Sequence, residues 1–399
     1  MEVNLQHLFS VATSDWGKDH LKQCRVKVSD VKDLPTLVAS EKPVLSQRER
    51  EELDKLANGP TTSDDPSEYG FVTKYGPSLG PVWAALHRLT TASSSRVPGL
   101  SEASFFHEIP SSPPGPDLDS DLDPGHNSEP SLPSPYRPGC RPPPRSAPRR
   151  PDPNMVLSTR MRVASSSSSP LPSSQRTDHS AYIESSESRR SPHLTEDLTV
   201  HLISTFIRHV LYNTNDSAGK VRVDFDDLKR SLKATVVDGV EYTSIDDGGL
   251  RVTHGEVDGG RIAILETKSQ LGPVDNGVSR LPDRRVAQIV GEALASRLVV
   301  NRHSDDRTVF VITAARYFVC FLEFRITREY LEKWESRVQE NNPDIDIPTL
   351  DVHHTRWLDL RDKGDRNKAI GNIAALTVVA KTFVMQNQEG DEWMVRPPG

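Results

Sequence analysis

The sequence predicts an α/β fold in which a mixed sheet is flanked by helices. After residue 194, apolar patterns with helical spacing alternate with β-type runs, and the strongest β-type run spans Arg261 to Lys268. The order is helix, three strands, helix, two strands, then helices. Because strands follow one another directly in both groups, the pattern favours a mixed sheet over a doubly wound parallel one.

The first helix of this region begins near Thr195, Glu196 and Asp197, since hydroxyl and acidic residues favour a helix start. Apolar residues recur at helical spacing from Leu198 to Leu211. Glycine-rich turns then separate short β-type runs. The predicted strands are Glu241 to Ile245, Leu250 to Thr253 and Arg261 to Lys268.

The second half of the region continues the alternation. Arg284 to Val299 carries its apolar residues on one side, which predicts a helix. Two β-rich runs, Val309 to Thr313 and Tyr317 to Ile326, predict a hairpin. Helices are predicted at Arg328 to Val338 and from Lys368 to about Met385.

Residues 1–95 are expected to form a small helical N-terminal segment. Ser46 and Glu49 have the spacing of a capping box before a helix at Glu51 to Leu56. A second helix is expected at Val82 to Leu86, after a turn at Gly76 to Pro81. The segment either packs on the main domain, residues 194–399, or is weakly ordered alone.

Residues 96–193 are expected to be a disordered linker rich in proline, serine and arginine. Stretches such as Pro110 to Pro116 and Ser165 to Ser169 lack the apolar surface needed to offset the entropy of ordering. Arginines recur from Arg137 to Arg162. They are either part of a solvated linker or a basic arm for nuclear import or phosphate binding.

Composition limits the class of protein. The formal charge is -7 and the pI is near 6.0, so a nucleic-acid binder would need a local basic surface. Three cysteines without CxxC spacing argue against a disulfide framework or a structural zinc site. They fit a reducing compartment, which places the expected location inside the cell, in the nucleus or cytoplasm. Neither a secretory signal nor a membrane span is expected.

The candidate chemistry lies at the end of the strongest strand. Side chains alternate along a strand, so Glu266 and Lys268 share one face while Thr267 points away. A second carboxylate, Asp246 or Asp247, arrives from the preceding element, and strand register decides which one faces the site. Asp247 is preferred because the glycines after it let the backbone bend there. Two acids and a lysine can hold Mg²⁺ and position a water for attack on a phosphodiester.

The same residues have a plainer interpretation. Glu266 and Lys268 can be an ordinary exposed ion pair at a strand end, which contributes less than about 1 kcal/mol. An isolated Glu-x-Lys motif occurs often by chance. The motif gains weight here from its order, with an acid before it and a helix that carries Gln288 after it.

The chain resembles the PD-(D/E)XK nuclease superfamily over about residues 195–335, and in detail the fungal PD-(D/E)XK nuclease-like proteins. The segments that carry the resemblance are Tyr242 to Leu250, Ile264 to Ser269, Val286 to Ala295 and Phe310 to Phe324. The resemblance implies a restriction-endonuclease-like fold. The chain departs from the family pattern in having no proline before the acid, and in having Glu292 where the family has a tyrosine.

The resemblance also implies roles for the candidate residues. Asp247 and Glu266 would bind Mg²⁺ (or Mn²⁺), with the carbonyl of Thr267 as a further ligand. Lys268 would orient or help deprotonate the attacking water. Gln288 would hydrogen-bond water or phosphate near the metal. Two more acids complete the candidate set: Glu292, one turn beyond Gln288, and Glu196, at the start of the first helix.

The expected function is that of a Mg²⁺-dependent nuclease, which hydrolyses phosphodiester bonds, foremost of DNA, with a metal-bound water. The alternative is a catalytically inactive module of the same fold that binds nucleic acid or protein in a regulatory role. A third interpretation is a scaffold with no nucleic-acid role, which the absence of a basic surface beside the acids would favour.

Overall fold

The computed structural model describes residues 4–40, 43–61, 65–94, 192–215, 219–255, 257–275, 278–300 and 306–388. The described residues all belong to one unit of the chain, which comprises residues 1–107 and 187–399. The predicted linker, residues 96–193, lies outside the described residues except for Pro192 and His193, which begin a helix.

Helices and strands alternate along these residues. The α-helices are α1 (Leu5–Leu8), α2 (Lys18–Gln23), α3 (Pro35–Ala39), α4 (Gln47–Asn58), α5 (Glu68–Ser94), α6 (Pro192–Tyr212), α7 (Asp283–Val300), α8 (Arg328–Gln339) and α9 (Lys363–Gln388). The strands are β1 (Val26–Asp30), β2 (Val221–Asp226), β3 (Ser231–Val237), β4 (Val240–Ile245), β5 (Gly249–His254), β6 (Val257–Lys268), β7 (Val274–Asp275), β8 (Val278–Ser279), β9 (Asp306–Ala315), β10 (Phe318–Thr327), β11 (Leu350–His354) and β12 (Leu358–Asp359).

The main sheet has the strand order β1-β11-β10-β9-β6-β5-β2, and β12 pairs with the first two residues of β10. The pairs β6–β9 and β1–β11 are parallel, and the other pairs are antiparallel. The predicted α/β fold with a mixed sheet flanked by helices is therefore confirmed.

The sheet lies between two apolar layers. Neighbouring residues of β6 show the alternation, because Leu265 packs with α6 and α9 on one face whereas Ile264 packs with α7 on the other. Both side chains are fully buried. The run predicted as the strongest strand is thus a central strand, which needs apolar residues toward both faces.

Some strands depart from the sequence prediction. The predicted strand Glu241 to Ile245 corresponds to β4, but β4 pairs with β3 in a separate hairpin and not with the main sheet. Strands β2, β3 and β11 were not predicted. The predicted hairpin of Val309 to Ile326 is present as β9 and β10, which are joined at Arg316 in a left-handed conformation (φ 57°).

The N-terminal segment contributes more than helices. β1 pairs in parallel with β11, with Val26 opposite Leu350, so this segment supplies an edge strand of the main sheet. The predicted capping box is present, since the Ser46 hydroxyl accepts a hydrogen bond from the N–H of Glu49. The predicted turn at Gly76 to Pro81 is a short break inside α5, where Gly76 has a φ of 83°.

The last helix, α9, contains a long apolar stretch. Over Lys363–Met385 it is, by length and composition alone, long and apolar enough to cross a membrane. Its buried side chains, among them Ile373, Leu376 and Ala380, belong to the core cluster shared with α4, α5 and α6. This packing is that of a core helix.

Candidate active site

The candidate site lies where β6 ends beside the residues that precede β5. The N–H of Asp247 donates to the carbonyl of Leu265 (2.9 Å), and the N–H of Leu265 donates to the carbonyl of Gly248 (2.8 Å). These two bonds continue the antiparallel pairing of β5 and β6 beyond Gly249, and they bring Asp247 beside Glu266. Gly248 has a φ of 129°, and a Cβ there would lie 2.7 Å from the carbonyl oxygen of Asp226. Only glycine fits this bend, as the sequence predicted.

The Asp247 carboxylate is held from both sides. Its Oδ2 accepts hydrogen bonds from the backbone N–H (2.9 Å) and the hydroxyl (2.6 Å) of Thr267. Its Oδ1 accepts one from Lys229 Nζ (2.7 Å). Burial opposes ionisation of Asp247, but the hydrogen bonds from Lys229 and Thr267 outweigh it and lower the pKa of the carboxyl. Asp247 is therefore a fixed anion at the strand end.

Asp246 has a different role. It forms a buried ion pair with Arg261, and its Oδ1 accepts from the N–H of Arg230 (2.9 Å) and of Gly248 (3.2 Å). Arg261 also donates to Asp226 (2.9 Å). Of the two acids that the sequence left open, the structure places Asp247 against β6 at Thr267, whereas Asp246 belongs to a structural ion network.

Glu266 is buried (2% exposed) between two donors. Lys268 Nζ forms an ion pair with its Oε1, and Gln288 Nε2 donates to the same oxygen (2.6 Å). Burial and the charge of Asp247 raise the pKa of Glu266 to about 7, although Lys268 opposes this shift. For Lys268, burial lowers the pKa, but the carboxylate of Glu266 outweighs it and the net pKa is raised.

Gln288 links Glu266 to a second acid. Its Nε2 also donates to Glu292 Oε1 (2.9 Å), one helical turn further along α7. Glu292 is almost fully buried, and its Oε2 has no hydrogen-bond partner. Burial and the nearby charge of Glu266 raise the pKa of Glu292 well above its ordinary value. The protonated form of Glu292 is thus favoured behind the site.

Three further charged groups stand near these residues. Glu196 on α6 is half-buried, and its charge raises the pKa of Glu266, Lys268 and Lys229, which places this candidate carboxylate close to the site. Lys229 was missed by the sequence analysis, since it lies in the exposed segment between β2 and β3 and no local pattern marks it. Arg285 precedes Gln288 on α7.

Arg285 is more buried than a residue in the first turn of a helix usually is. It is 8% exposed, donates to the carbonyl of Gln270, and its guanidinium lies 5.6 Å from the ring centroid of Trp357. Its Nη1 has no hydrogen-bond partner. Burial lowers the pKa of Arg285, and the charges of Glu266 and Glu196 oppose this shift. Its burial comes from tertiary packing that the sequence pattern does not reveal.

The donor set suits a hard divalent cation. Within the described residues, no group of three or more His, Cys, Asp or Glu side chains is arranged to hold a metal ion. Mg²⁺, however, commonly uses one or two protein carboxylates and fills its remaining positions with water or phosphate oxygens. Asp247 and Glu266 provide two such carboxylates, and Lys229 and Lys268 now donate to them. The residues present therefore fit Mg²⁺ in chemistry.

Comparison with known proteins adds no family. The chain matches no protein-family model and no curated protein. The resemblance to PD-(D/E)XK nucleases therefore stays a prediction from the motifs.

Proposed function

We propose that the protein hydrolyses phosphodiester bonds of nucleic acid, foremost of DNA, in a reaction that depends on Mg²⁺. One observation carries the proposal: Glu266 is a buried carboxylate that accepts from both Lys268 and Gln288 at the end of a strand beside Asp247. Buried acids with raised pKa values beside a specific cation are concentrated at functional sites.

The order of elements supports the finer fold assignment. Apart from the two small hairpins β3–β4 and β7–β8, helix α6 is followed by β2, β5 and β6 in antiparallel succession, then by α7, and then by β9, which is parallel to β6. The acids lie before β5 and on β6, and the glutamine lies on α7. This is the order on which the resemblance to the PD-(D/E)XK superfamily rests, and we propose a restriction-endonuclease-like fold on this ground.

The residues divide the chemistry among them. When bound, Mg²⁺ would supply Lewis acidity toward the phosphate and favour ionisation of a water. Asp247 and Glu266 would hold it. Lys268, whose side chain is 32% exposed, reaches toward solvent and would orient the attacking water and offset the charge that develops on the phosphate.

The groups behind the site hold it in place. Gln288 keeps the bound oxygen of Glu266 in a fixed position by donating to it. Burial favours the protonated form of Glu292, and in that form it accepts from Gln288 without adding a further negative charge to a site that must bind a phosphate. Thr267 fixes Asp247 in the same way from the other side.

The test is cleavage of plasmid and linear DNA in Mg²⁺, in Mn²⁺ and in EDTA. We expect cleavage that needs the metal, and we expect Glu266→Gln and Lys268→Met each to abolish it while the unfolding transition is retained. Glu329 and Lys333 form a matched control, because they are the same pair of residue types at 2.7 Å on the exposed side of α8. Cleavage retained by pure Lys268→Met protein would overturn the mechanism.

A second candidate is a non-catalytic binding module of the same fold. It is favoured by the ion pairs of Lys229 with Asp247 and of Lys268 with Glu266, since these cations already neutralise the acids that would bind metal. This module would bind nucleic acid or protein with an affinity that depends on salt but not on Mg²⁺ or on Glu266→Gln. Calorimetric titration with Mg²⁺ separates the two candidates.

A further inference from the structure

A cavity of about 310 Å³ opens beside β1, at a distance from the carboxylates. It lies between the residues that follow β1, the segment that joins β11 to β12, and the exposed side of α9. Its polar lining side chains are Asp30, Lys32, Thr355, Arg356, Lys368 and Asn372. None of these residues belongs to the site described above.

The charge of the cavity suits a phosphodiester. Arg356 is paired with Asp365, with Nη1 and Oδ2 3.0 Å apart. Within the described part of the chain, the ammonium groups of Lys32 and Lys368 have no ion pair or hydrogen bond, and one carboxylate, that of Asp30, faces them. With the Arg356–Asp365 pair counted as neutral, Lys32, Lys368 and Asp30 leave the cavity one net positive charge, the complement of a single phosphodiester group.

The cavity and the carboxylates lie toward the same end of the sheet. Strands β6, β9, β11 and β1 run in one direction, and the candidate site and the cavity are both at carboxyl ends of these strands. In open α/β sheets ligands bind beyond the carboxyl ends of strands. Three to four strand spacings separate β6 from β11 and β1, which is about 14 to 19 Å across the sheet.

Arg285 lies close to the segment that joins β11 to β12, which lines the cavity. Its guanidinium lies 5.6 Å from the ring centroid of Trp357, and Trp357 directly follows the cavity residue Arg356. Its buried Nη1 still has a hydrogen to donate. Arg285 thus adds a buried positive charge that interacts with Glu266 and lies beside the segment that lines the cavity.

We propose that the cavity is a phosphate-binding subsite that holds the backbone of the same DNA whose scissile phosphate lies at Asp247 and Glu266. This inference rests on the proposed function. One strand of DNA has a phosphate every 3.4 Å along the helix axis, so the separation across the sheet corresponds to about four to six nucleotides. The subsite contacts backbone and no base, so it contributes affinity without sequence preference.

The test compares two double variants of the full chain. Lys32→Gln/Lys368→Gln removes the two unpaired cations of the cavity. Lys22→Gln/Lys333→Gln removes two exposed lysines on α2 and α8, which lie toward the opposite end of the sheet, before the amino end of β1 and after the carboxyl end of β10. Binding of a labelled DNA duplex of about 20 base pairs is followed by anisotropy in EDTA over a range of salt concentrations.

We expect the cavity variant to lower the slope of log affinity against log salt by about one to two units, because each lysine that contacts a phosphate contributes about 0.9. The control variant should keep the slope of the unmodified protein. In Mg²⁺ the cavity variant should raise KM for DNA and keep kcat, since the subsite is remote from the reacting phosphate.

The outcomes separate the two proposals. An unchanged slope in the cavity variant overturns the subsite, and Mg²⁺-dependent cleavage that is lost in Glu266→Gln would still support the nuclease. A reduced slope in a protein that cleaves nothing supports the subsite and overturns the nuclease. If the unmodified protein does not bind DNA, both proposals are wrong.

Discussion

The carboxylate of Asp247 is joined to Thr267 by two hydrogen bonds, one from the backbone N–H of Thr267 and one from its hydroxyl. Both donors reach the same oxygen, Oδ2. Thr267 is fully buried, so neither bond competes with water. The pair fastens the residues before β5 to the end of β6 and sets the position of the acid relative to Glu266.

Replacement of Thr267 by valine tests this link. Thr267→Val keeps the shape of the side chain but removes the shorter bond to a buried anion, so we expect a loss of about 1 to 3 kcal/mol in the free energy of unfolding. Urea unfolding measures it. Thr313→Val is the matched control, because Thr313 lies opposite Glu266 on β9 and its buried hydroxyl has no partner. That change should be neutral or stabilising, and equal losses in the two variants would contradict the role of Thr267.

The raised pKa of Glu266 predicts a dependence of stability on pH. Glu266 keeps its proton up to a pH of about 7 in the folded protein, whereas an ordinary glutamate loses it near 4.5. Between these values the folded state binds more protons, so the free energy of unfolding falls as the pH rises from about 4.5 to about 7. For this one group the fall is on the order of 3 kcal/mol.

Glu266→Gln isolates this effect from the other titrating groups. The variant keeps a neutral side chain at every pH, so its stability relative to the unmodified protein should increase across the same window. Urea unfolding in EDTA at several pH values measures the difference. Parallel pH profiles for the two proteins would show that Glu266 titrates at its ordinary pKa.

Much of the sheet and site could be predicted, because their signals are local. The run from Arg261 to Lys268 is apolar enough to be a central strand, and Glu266 and Lys268 follow from its two-residue period. Gly248 showed where the backbone bends, and this favoured Asp247 over Asp246. Helix α7 was predicted because one of its sides is continuously apolar.

The rest depends on contacts between distant parts of the chain. β1 is a half-exposed edge strand of only five residues, and its partner β11 lies more than 300 residues away, so its short alternation of Val26 and Val28 with polar residues is a weak signal. β2 is different, because Val221, Val223 and Phe225 alternate with polar residues. This two-residue period is a local signal for a strand, and β2 could have been predicted from it. The burial of Arg285 against Trp357 leaves no local trace in the sequence.

The ion network of Arg261 makes a prediction about stability. Arg261 is buried and paired with both Asp246 and Asp226, so Arg261→Met would leave two buried carboxylates without this partner. We expect a loss of about 3 to 5 kcal/mol. Arg230→Met is the control, because Arg230 is about one-third exposed and pairs with Asp226 at 3.0 Å, and its loss should be below about 1 kcal/mol. Thermal or urea unfolding measures both losses. A loss below about 1 kcal/mol in Arg261→Met would show that the ion network contributes little to the stability of the fold.

The ion pair of Lys229 with Asp247 makes a prediction about the metal. Lys229 Nζ lies 2.7 Å from Asp247 Oδ1 and its side chain is 59% exposed, so it repels a cation that approaches this carboxylate through a largely aqueous medium. At about 4 Å in water the repulsion between two unit charges is about 1 kcal/mol. For a divalent ion it is larger, so Lys229→Gln should tighten Mg²⁺ binding at least about fivefold above neutral pH.

Calorimetric titration with Mg²⁺ measures this change. Lys55→Gln is the matched control, since Lys55 forms an exposed pair with Glu52 at the same distance on α4, and its loss should leave the affinity unchanged. Tighter binding in Lys229→Gln alone would identify Asp247 as a metal ligand that the lysine covers in the free protein. Weaker binding would mean that Lys229 helps to order the metal site. If neither protein releases or absorbs heat with Mg²⁺, the non-catalytic module is favoured, because a nuclease of the proposed kind needs Asp247 and Glu266 to share an ion.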